Sequence, residues 1–567
     1  MKKSVSIAIA VAALFSTSAA PPVAYSVLIR GGTIYDGSGD TPYVGDVALK
    51  GDKIVYVGPQ APGRAARTVN ATGKAVSPGF INMLSWANES LIADGRGLSD
   101  TVQGVTLEVM GEGDSMGPWS PEMKRLELKR QGDIKYPIRW TTLGQYLDYM
   151  AKKGVTPNLA SFVGATTVRR HEIGEKDLDP TPAQLTRMRA LVRQAMKEGA
   201  MGVGSSLIYA PANYAKTPEL VAITSEAAKC RGMYISHMRS EGNKLLEAID
   251  ELISISKESG APAEIYHFKQ GGQPNWGKID AAIAKVNDAR AAGQRITADM
   301  YTYPAGATGL DAAMPTWVQS GGLEAWIKQL KDPAVRARLV KEMRTPSNDW
   351  ENLLLLSGSP DRVLLIAFKN PKLKPLTGKT LGEVAKMRGK TPEETAMDLV
   401  IEDGSRVGTI YFIMSEDNVK REVGLPWMSF GSDEASEAPE GVFLKASSHP
   451  RAYGNFIRVL SEYVRKDHAT TLPDAIRRLT SLPATNLSLK QRGWLKPGYY
   501  ADVVVFDPDK VQDHATFEKP KQLATGVDDV FVNGVQVLKD GKHTGAKPGR
   551  VVRGPGWTDG PGGGACK

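Results

Sequence analysis

The chain has 567 residues, with 71 Lys and Arg against 62 Asp and Glu, so its formal net charge is +9. Hydrophobic residues make up 41% and charged residues 23%, which is typical of a globular protein and excludes a disordered or collagen-like chain. Because the positive charge is dilute and interspersed with acidic residues, we expect no nucleic-acid partner.

The N-terminus has the three-part pattern of a secretory signal peptide. Lys2 and Lys3 precede an apolar run at residues 5–15, and small residues follow at 16–20. The apolar run is too short to span a bilayer stably, so signal cleavage should leave no stable membrane anchor. We therefore assign residues 1–24 to a signal peptide and expect an exported, periplasmic protein.

The rest of the chain divides by its strand and helix patterns. Residues 25–78 and 491–553 have the alternation of short strands separated by turns that contain Gly and Asp. Residues 79–490 alternate apolar strands with amphipathic helices, which predicts an α/β fold: a (β/α)8 TIM-like barrel with a small β-sandwich domain formed from both termini. The segments 119–140 and 340–362 interrupt the alternation, and we expect them to be loop insertions.

The predicted barrel elements can be listed by residue number. The strands are 200–204, 233–236, 263–266, 295–300, 363–366 and 429–431, and the helices are 182–198, 219–228, 244–259, 278–291, 391–402 and 472–479.

The end of the chain is rich in Gly and Pro, so we predict a flexible tail at 554–567. The only cysteines are Cys230 and Cys566, too few for a disulfide scaffold, a cysteine-rich zinc module or an iron–sulfur cluster. We expect both to be free thiols.

Of the seven histidines, two directly follow predicted barrel strands. His237 follows the strand 233–236, and His267 follows the next one; Asp299 and Asp433 lie at the ends of two later strands. In a parallel barrel, functional side chains project from the carboxyl ends of the strands. Two imidazoles and a carboxylate in such positions indicate a hydrolytic metal site, in which the carboxylate takes a proton from water.

Short motifs along the chain add to this interpretation. They are Pro78-Gly79-Phe80-Ile81, Gln103-Gly104-Val105-Thr106, Asp299-Met300-Tyr301, Gly431-Ser432-Asp433, His449-Pro450-Arg451-Ala452-Tyr453-Gly454, Thr480-Ser481-Leu482-Pro483-Ala484 and Lys496-Pro497-Gly498-Tyr499-Tyr500-Ala501-Asp502-Val503. In this order and spacing, they make the chain similar, from residue 26 to residue 553, to the N-acyl-D-amino-acid deacylase branch of the amidohydrolase superfamily.

The chain departs from that branch at the first barrel strand. The branch usually reads Asp-x-His-x-His-x-Asp there, whereas this chain has Asn82, Leu84, Trp86 and Asn88 at the corresponding positions. Neither Leu nor Trp has a lone pair to give to zinc, so we expect no conventional two-metal centre.

A second departure concerns a position at which the family often carries a metal-binding Cys. Here Glu112 occupies it, and a carboxylate can replace a thiolate as an anionic ligand. The resemblance then implies that Glu112, His237 and His267 hold one tightly bound Zn²⁺ ion.

The resemblance also implies a reaction and a substrate. The expected activity is hydrolysis of the amide bond of a small N-acyl amino acid of D configuration, with Asp433 as general base and then general acid. The substrate contacts implied are Lys269, Tyr209, Tyr301 and Arg451, of which Arg451 can bind a carboxylate with two parallel hydrogen bonds.

Two alternatives stay open. The same scaffold could serve a dipeptidase, a cyclic-amide hydrolase or a lactonase, because a fold does not fix its substrate. The missing His-x-His motif also fits an inactive, metal-free binding homologue. The sequence specifies neither the acyl group nor the oligomeric state.

Overall fold

The computed structural model describes residues 23–559 and 564–566. Residues 1–22, which make up most of the predicted signal peptide, lie outside the described residues. None of the helices in the described part of the chain combines the length and apolarity that a bilayer crossing requires.

The centre of the molecule is a barrel of eight parallel strands, as predicted. They are Phe80–Asn82, Val105–Met110, Asn158–Ser161 with its continuation Val163–Gly164, Gly202–Ser206, Met233–His237, Ala263–Ile265, Ile296–Met300 and Met428–Phe430. The backbone N–H of Met83 donates to the carbonyl of Phe430 at 3.1 Å, which joins the first strand to the last. All carboxyl ends of the strands therefore lie at one rim.

Helices surround the barrel and extend into the connections between its strands. The described helices are Ala87–Ala93, Leu98–Thr101, Pro121–Arg130, Leu143–Lys153, Ala165–Glu172, Pro182–Lys197, Thr217–Lys229, Leu245–Ser259, Ile279–Ala291, Leu323–Gln329, Pro333–Met343, Leu353–Leu356, Leu381–Arg388, Pro392–Asp403, Glu416–Val423, Arg451–Arg458, Val459–Lys466, Leu472–Leu479 and Ser481–Asn486. Several begin where the sequence predicts, because a Thr side chain caps them: Thr181 and Thr391 each accept a backbone N–H and form a capping box.

The second domain is a nine-stranded sheet built from both ends of the chain, also as predicted. Its strands are Val23–Ile34, Tyr43–Lys50, Lys53–Gly58, Arg64–Asn70, Ala75–Pro78, Val503–Phe506, Val527–Val532, Val535–Lys539 and Lys542–His543. The two ends meet where Val503–Phe506 pairs antiparallel with Ala75–Pro78.

The prediction that residues 363–366 form a barrel strand was wrong. The segment Val363–Ala367 is a strand, but it lies in a separate antiparallel sheet with Gly306–Gly309 and Gly408–Tyr411. This sheet belongs to the long insertion between the last two barrel strands. Val363 and Leu365 are fully buried there, so the apolar pattern indicates burial without saying against which sheet.

The prediction of two free thiols was also wrong, because Cys230 and Cys566 form a disulfide across a sequence separation of 336 residues. Other contacts attach the described part of the C-terminal segment to the barrel. The N–H of Gly554 donates to the carbonyl of Gly199, and that of Val552 to the carbonyl of Leu159. Two residues of the predicted tail, Gly554 and Cys566, therefore contact the barrel domain.

Candidate metal centre and its cavity

Three predicted ligands come together at the carboxyl rim of the barrel. His237 Nδ1 lies 3.0 Å and His267 Nε2 lies 3.1 Å from the same oxygen, Oε1 of Glu112. All three side chains are buried, and one potential ligand atom from each lies within 4.8 Å of the others. Two imidazoles and a carboxylate at this spacing can bind one metal ion.

The local backbone explains how Glu112 reaches the histidines. The strand Val105–Met110 ends one residue before a turn at Gly111, whose φ is +107°. A Cβ at Gly111 would lie 2.4 Å from the carbonyl oxygen of Phe162, so only glycine fits. His267 itself has a φ of 35°, a sparsely populated region for a non-glycine residue, and such backbone is frequent at functional sites.

Asp299 holds the backbone of His267 through a hydrogen bond. Its Oδ1 accepts the N–H of His267 at 2.8 Å. Burial, together with nearby Glu264, holds the pKa of Asp299 well above its ordinary value. The predicted strand-end carboxylate Asp299 therefore holds the backbone that carries His267 and is not one of the three clustered ligands.

The electrostatics of the three ligands suit a cation. Burial and the Lys269 ammonium disfavour a charged imidazole, but Glu241 and Glu112 outweigh them and raise the pKa of His267 to about 10. Burial likewise disfavours the charged form of Glu112, yet the hydrogen bonds from both histidines hold its pKa far below the ordinary value. The carboxylates that favour a proton on the imidazole would equally favour a divalent cation among these donors.

Glu241 is a member of the site that the sequence analysis missed. Its Oε1 lies 2.8 Å from Nδ1 of His267, and its Oε2 lies 3.6 Å from Nε2 of His237. A carboxylate on the far nitrogen of a histidine fixes the tautomer and the ring orientation of a metal ligand. The available signal was the spacing, since Glu241 follows His237 by four residues in Ser236-His237-Met238-Arg239-Ser240-Glu241.

Asp433 follows the last barrel strand, Met428–Phe430. Its Oδ2 is 2.9 Å from Nη2 of Arg451, and the same nitrogen donates to the Asp433 carbonyl at 2.7 Å. Burial raises the pKa of Asp433 in spite of that guanidinium, and nearby Glu112 acts in the same direction. Trp86 joins the two carboxylates, since its indole N–H donates to Oε2 of Glu112 at 3.1 Å and to Oδ1 of Asp433 at 3.0 Å.

The remaining predicted site residues lie around the same cluster. Lys269 is buried, and its Nζ lies 2.6 Å from Oε1 of Glu241 and 2.7 Å from Nδ1 of His267. The Tyr209 ring packs edge-on against His237 at 5.2 Å between centroids. The Tyr301 ring lies under the Arg451 guanidinium, with 4.2 Å between its centroid and Cζ.

One cavity of about 760 Å³ is lined by the three clustered side chains, by Trp86, Glu241 and Asp433, and by the predicted substrate contacts Lys269, Tyr209, Tyr301 and Arg451. Its wall away from the cluster combines apolar and charged side chains and is supplied in part by the insertion between the last two barrel strands. Large apolar residues on this wall include Leu323, Trp326, Leu353, Ile366, Phe368 and Phe443, and charged residues on it include Arg130, Arg170, Glu175, Asp311 and Arg406. A cavity of this size and lining suits a small molecule with an apolar group.

An α/β barrel with histidines and carboxylates clustered at the carboxyl rim of its strands has the architecture of a barrel enzyme. The chain belongs to the amidohydrolase family, since the model of that family matches residues 67–538. D-aminoacylase of Alcaligenes xylosoxydans xylosoxydans is 31% identical over 531 residues, which cover 93% of this chain and 97% of that protein. The predicted resemblance to the N-acyl-D-amino-acid deacylases is thereby confirmed.

Two solved structures show the same similarity in three dimensions. One is a D-aminoacylase structure that concerns the functional role of a binuclear metal centre, with one-metal activation and second-metal attenuation. Its TM-score is 0.77 and its sequence identity is 31%, and the match covers 93% of this chain and 100% of that one. The other is N-acyl-D-glutamate deacylase from Bordetella bronchiseptica with zinc and a phosphonate inhibitor, with a TM-score of 0.76 and 28% identity, covering 93% and 99%. The barrel and the β domain are those of this family.

Proposed function

We propose that this chain is a zinc-dependent deacylase that hydrolyses the amide bond of N-acyl-D-amino acids. The observation that carries the proposal is the convergence of Glu112, His237 and His267 at the base of the cavity, with Asp433 beside them. The similarity to D-aminoacylase over nearly the whole chain supports the choice of substrate class.

The donor set fits one divalent metal ion. Glu112, His237 and His267 would hold it, as two imidazoles and a carboxylate do in catalytic zinc sites. A bound zinc ion would supply Lewis-acid chemistry, which activates water and polarises the amide carbonyl. Glu241 would orient His267 through its other ring nitrogen.

Asp433 supplies the proton transfers in this proposal. It accepts a proton from the water whose oxygen attacks the acyl carbon, and it returns that proton to the nitrogen as the C–N bond breaks. Asp433 has a φ of 50°, and its N–H donates to the carbonyl of Leu84 at 2.8 Å. The backbone therefore holds its carboxylate toward the cluster.

Arg451 is the proposed partner of the substrate's α-carboxylate. It is 1% exposed, and within the described residues its Nε and Nη1 have no hydrogen-bond acceptor. Nη2 already contacts Asp433, but buried N–H groups without an acceptor are costly, and a carboxylate entering the cavity would satisfy those on Nε and Nη1. The apolar residues of the wall would then face the acyl group or the amino-acid side chain.

Metal content and turnover of the purified chain test this proposal. Zinc-loaded protein should hold at least one metal ion per chain and hydrolyse N-acetyl-D-amino acids faster than their L enantiomers. Dipeptides, cyclic amides and lactones assayed in parallel distinguish the other hydrolases that the scaffold could serve. Protein that binds no zinc and turns over none of these compounds would be a binding homologue, and the proposal would be wrong.

We also propose that the chain is exported to the periplasm. The signal-like pattern at residues 1–24 supports this location, and so does the Cys230–Cys566 disulfide, because disulfides persist in oxidising compartments. Cell fractionation with N-terminal sequencing of the mature chain is the test. We expect a periplasmic protein that begins between residues 20 and 25, and a cytoplasmic chain with residues 1–24 retained would contradict export.

A further inference from the structure

The indole nitrogen of Trp86 lies between two buried carboxylates of the centre. Its N–H donates to Glu112 at 3.1 Å and to Asp433 at 3.0 Å, so a single donor serves both. An indole N–H is a donor only and cannot give a lone pair to a metal ion. Trp86 thus joins the ligand and the proposed base without being a ligand itself.

The backbone fixes Trp86 relative to Asp433. The N–H of Trp86 donates to the carbonyl of Glu434 at 2.9 Å, and the N–H of Asp433 donates to the carbonyl of Leu84 at 2.8 Å. The segments 84–86 and 433–434 therefore hold each other through two backbone hydrogen bonds. The backbone thereby holds the indole donor next to the Asp433 carboxylate.

Leu84 lies just past the carboxyl end of the first barrel strand, two residues before Trp86. Its side chain is fully buried in an apolar cluster that includes Met83, Leu107 and Val109. Gly431 approaches it so closely that a Cβ there would lie 2.7 Å from the Cβ of Leu84. An apolar side chain in this filled space offers no lone pair to a further cation.

We propose that Trp86 takes the place of a second cation. Its N–H offsets the negative charge of the two facing carboxylates and positions Asp433. The centre therefore binds one metal ion only. Two buried carboxylates without a shared donor would repel each other, and Asp433 would lose one of its fixed contacts. Trp86 is a positioning residue, since it acts through Asp433. The inference rests on the proposed function.

Metal stoichiometry tests the exclusion of a second ion. Wild-type protein and the variant Leu84→His with Trp86→His are titrated with Co²⁺ and with Zn²⁺, followed by visible absorption and by metal analysis after removal of unbound ion. Wild type should saturate at one equivalent even in excess metal. The double variant, which adds two imidazoles, should take up a second equivalent.

Single substitutions test the positioning role. Trp86→Phe keeps an aromatic ring and removes the N–H, so kcat should fall about 10- to 100-fold with KM within about twofold, since hydrogen bonds to charged groups are the strong ones. Trp317→Phe is the matched control, because it removes an indole N–H that donates to Glu342 at 2.8 Å, outside the centre. The control should keep wild-type kcat, and Trp86→Phe should still bind one equivalent of metal.

The outcomes separate the inference from the proposed function. A wild-type chain that binds two equivalents, or a Trp86→Phe variant with wild-type kcat, overturns the inference and leaves the deacylase proposal standing. A wild-type chain that binds no metal overturns both. Because the wild-type stoichiometry needs no substitution, the inference stays decidable even if a variant fails to fold.

Discussion

Replacing Glu112 by Gln and Asp433 by Asn should separate metal binding from proton transfer. Glu112 is 4% exposed, and its Oε1 faces both histidines, so Gln keeps the shape but removes the only negative charge among the three ligands. Loss of a residue that only hydrogen-bonds to a metal ligand lowers metal affinity by about 10- to 100-fold. Loss of the anionic ligand itself should therefore lower metal affinity by about 1000-fold or more.

Asp433→Asn changes a different step. The amide oxygen of Asn can still accept from Arg451 or Trp86, both of which contact the Asp433 carboxylate. The variant should therefore keep its metal, while kcat falls by about 100- to 10,000-fold because the proposed general base is lost.

The assay is zinc titration by calorimetry together with steady-state kinetics on an N-acetyl-D-amino acid. Zinc released by Glu112→Gln but retained by Asp433→Asn, with turnover lost in both, is the expected result. Equal metal affinity in the two variants would refute the ligand assignment of Glu112, and wild-type kcat in Asp433→Asn would refute its role as base. Circular dichroism of both variants checks that the fold is retained.

Three further predictions concern the disulfide, the substrate carboxylate and stability at low pH. Cys566→Ser should lower the free energy of unfolding by about 2 to 5 kcal/mol, because the disulfide with Cys230 closes a long loop; an unchanged melting temperature under oxidising conditions would contradict this. Arg451→Lys should raise KM by about 10- to 100-fold for an N-acyl amino acid, because Lys cannot form the bidentate pair with the α-carboxylate. The rise in KM should be smaller for an amide without the α-carboxylate. An equal rise for both compounds would argue against carboxylate binding by Arg451. In Glu226, burial is outweighed by the surrounding Lys and Arg side chains, which lower the pKa to about 2 from 4.5. The ionised Glu226 therefore stabilises the folded state fully above pH 4.5, and this contribution is lost as the pH falls toward about 2. In denaturation experiments, Glu226→Gln should lower the free energy of unfolding by about 1 to 2 kcal/mol at neutral pH and by little near pH 2. A loss of stability that does not depend on pH would contradict the ion-pair explanation.

The sequence by itself determined the barrel and the positions of its histidines. Strand–helix alternation indicates a parallel barrel, and the barrel places every strand end at one rim, so His237 and His267 had to lie near each other once their strands were recognised. The two-ended β domain followed from the strand and turn patterns at residues 25–78 and 491–553.

Only the tertiary structure decided which residues from distant segments meet. The Cys230–Cys566 bond, the contact of Glu241 with His267 and the membership of Val363–Ala367 in a separate sheet depend on how the connections fold back on the barrel. Sequence patterns report burial and periodicity, and these are the same whichever partner buries the side chain.

Trp86 shows the difference most clearly. The sequence shows only that Trp86 cannot bind zinc and stands where the family usually has a histidine ligand. In the structure its N–H lies between Glu112 and Asp433, because the first and last barrel strands are neighbours and their following segments pair through the backbone. The two strands become neighbours only when the barrel closes, and Trp86 then contacts both the proposed ligand and the proposed base.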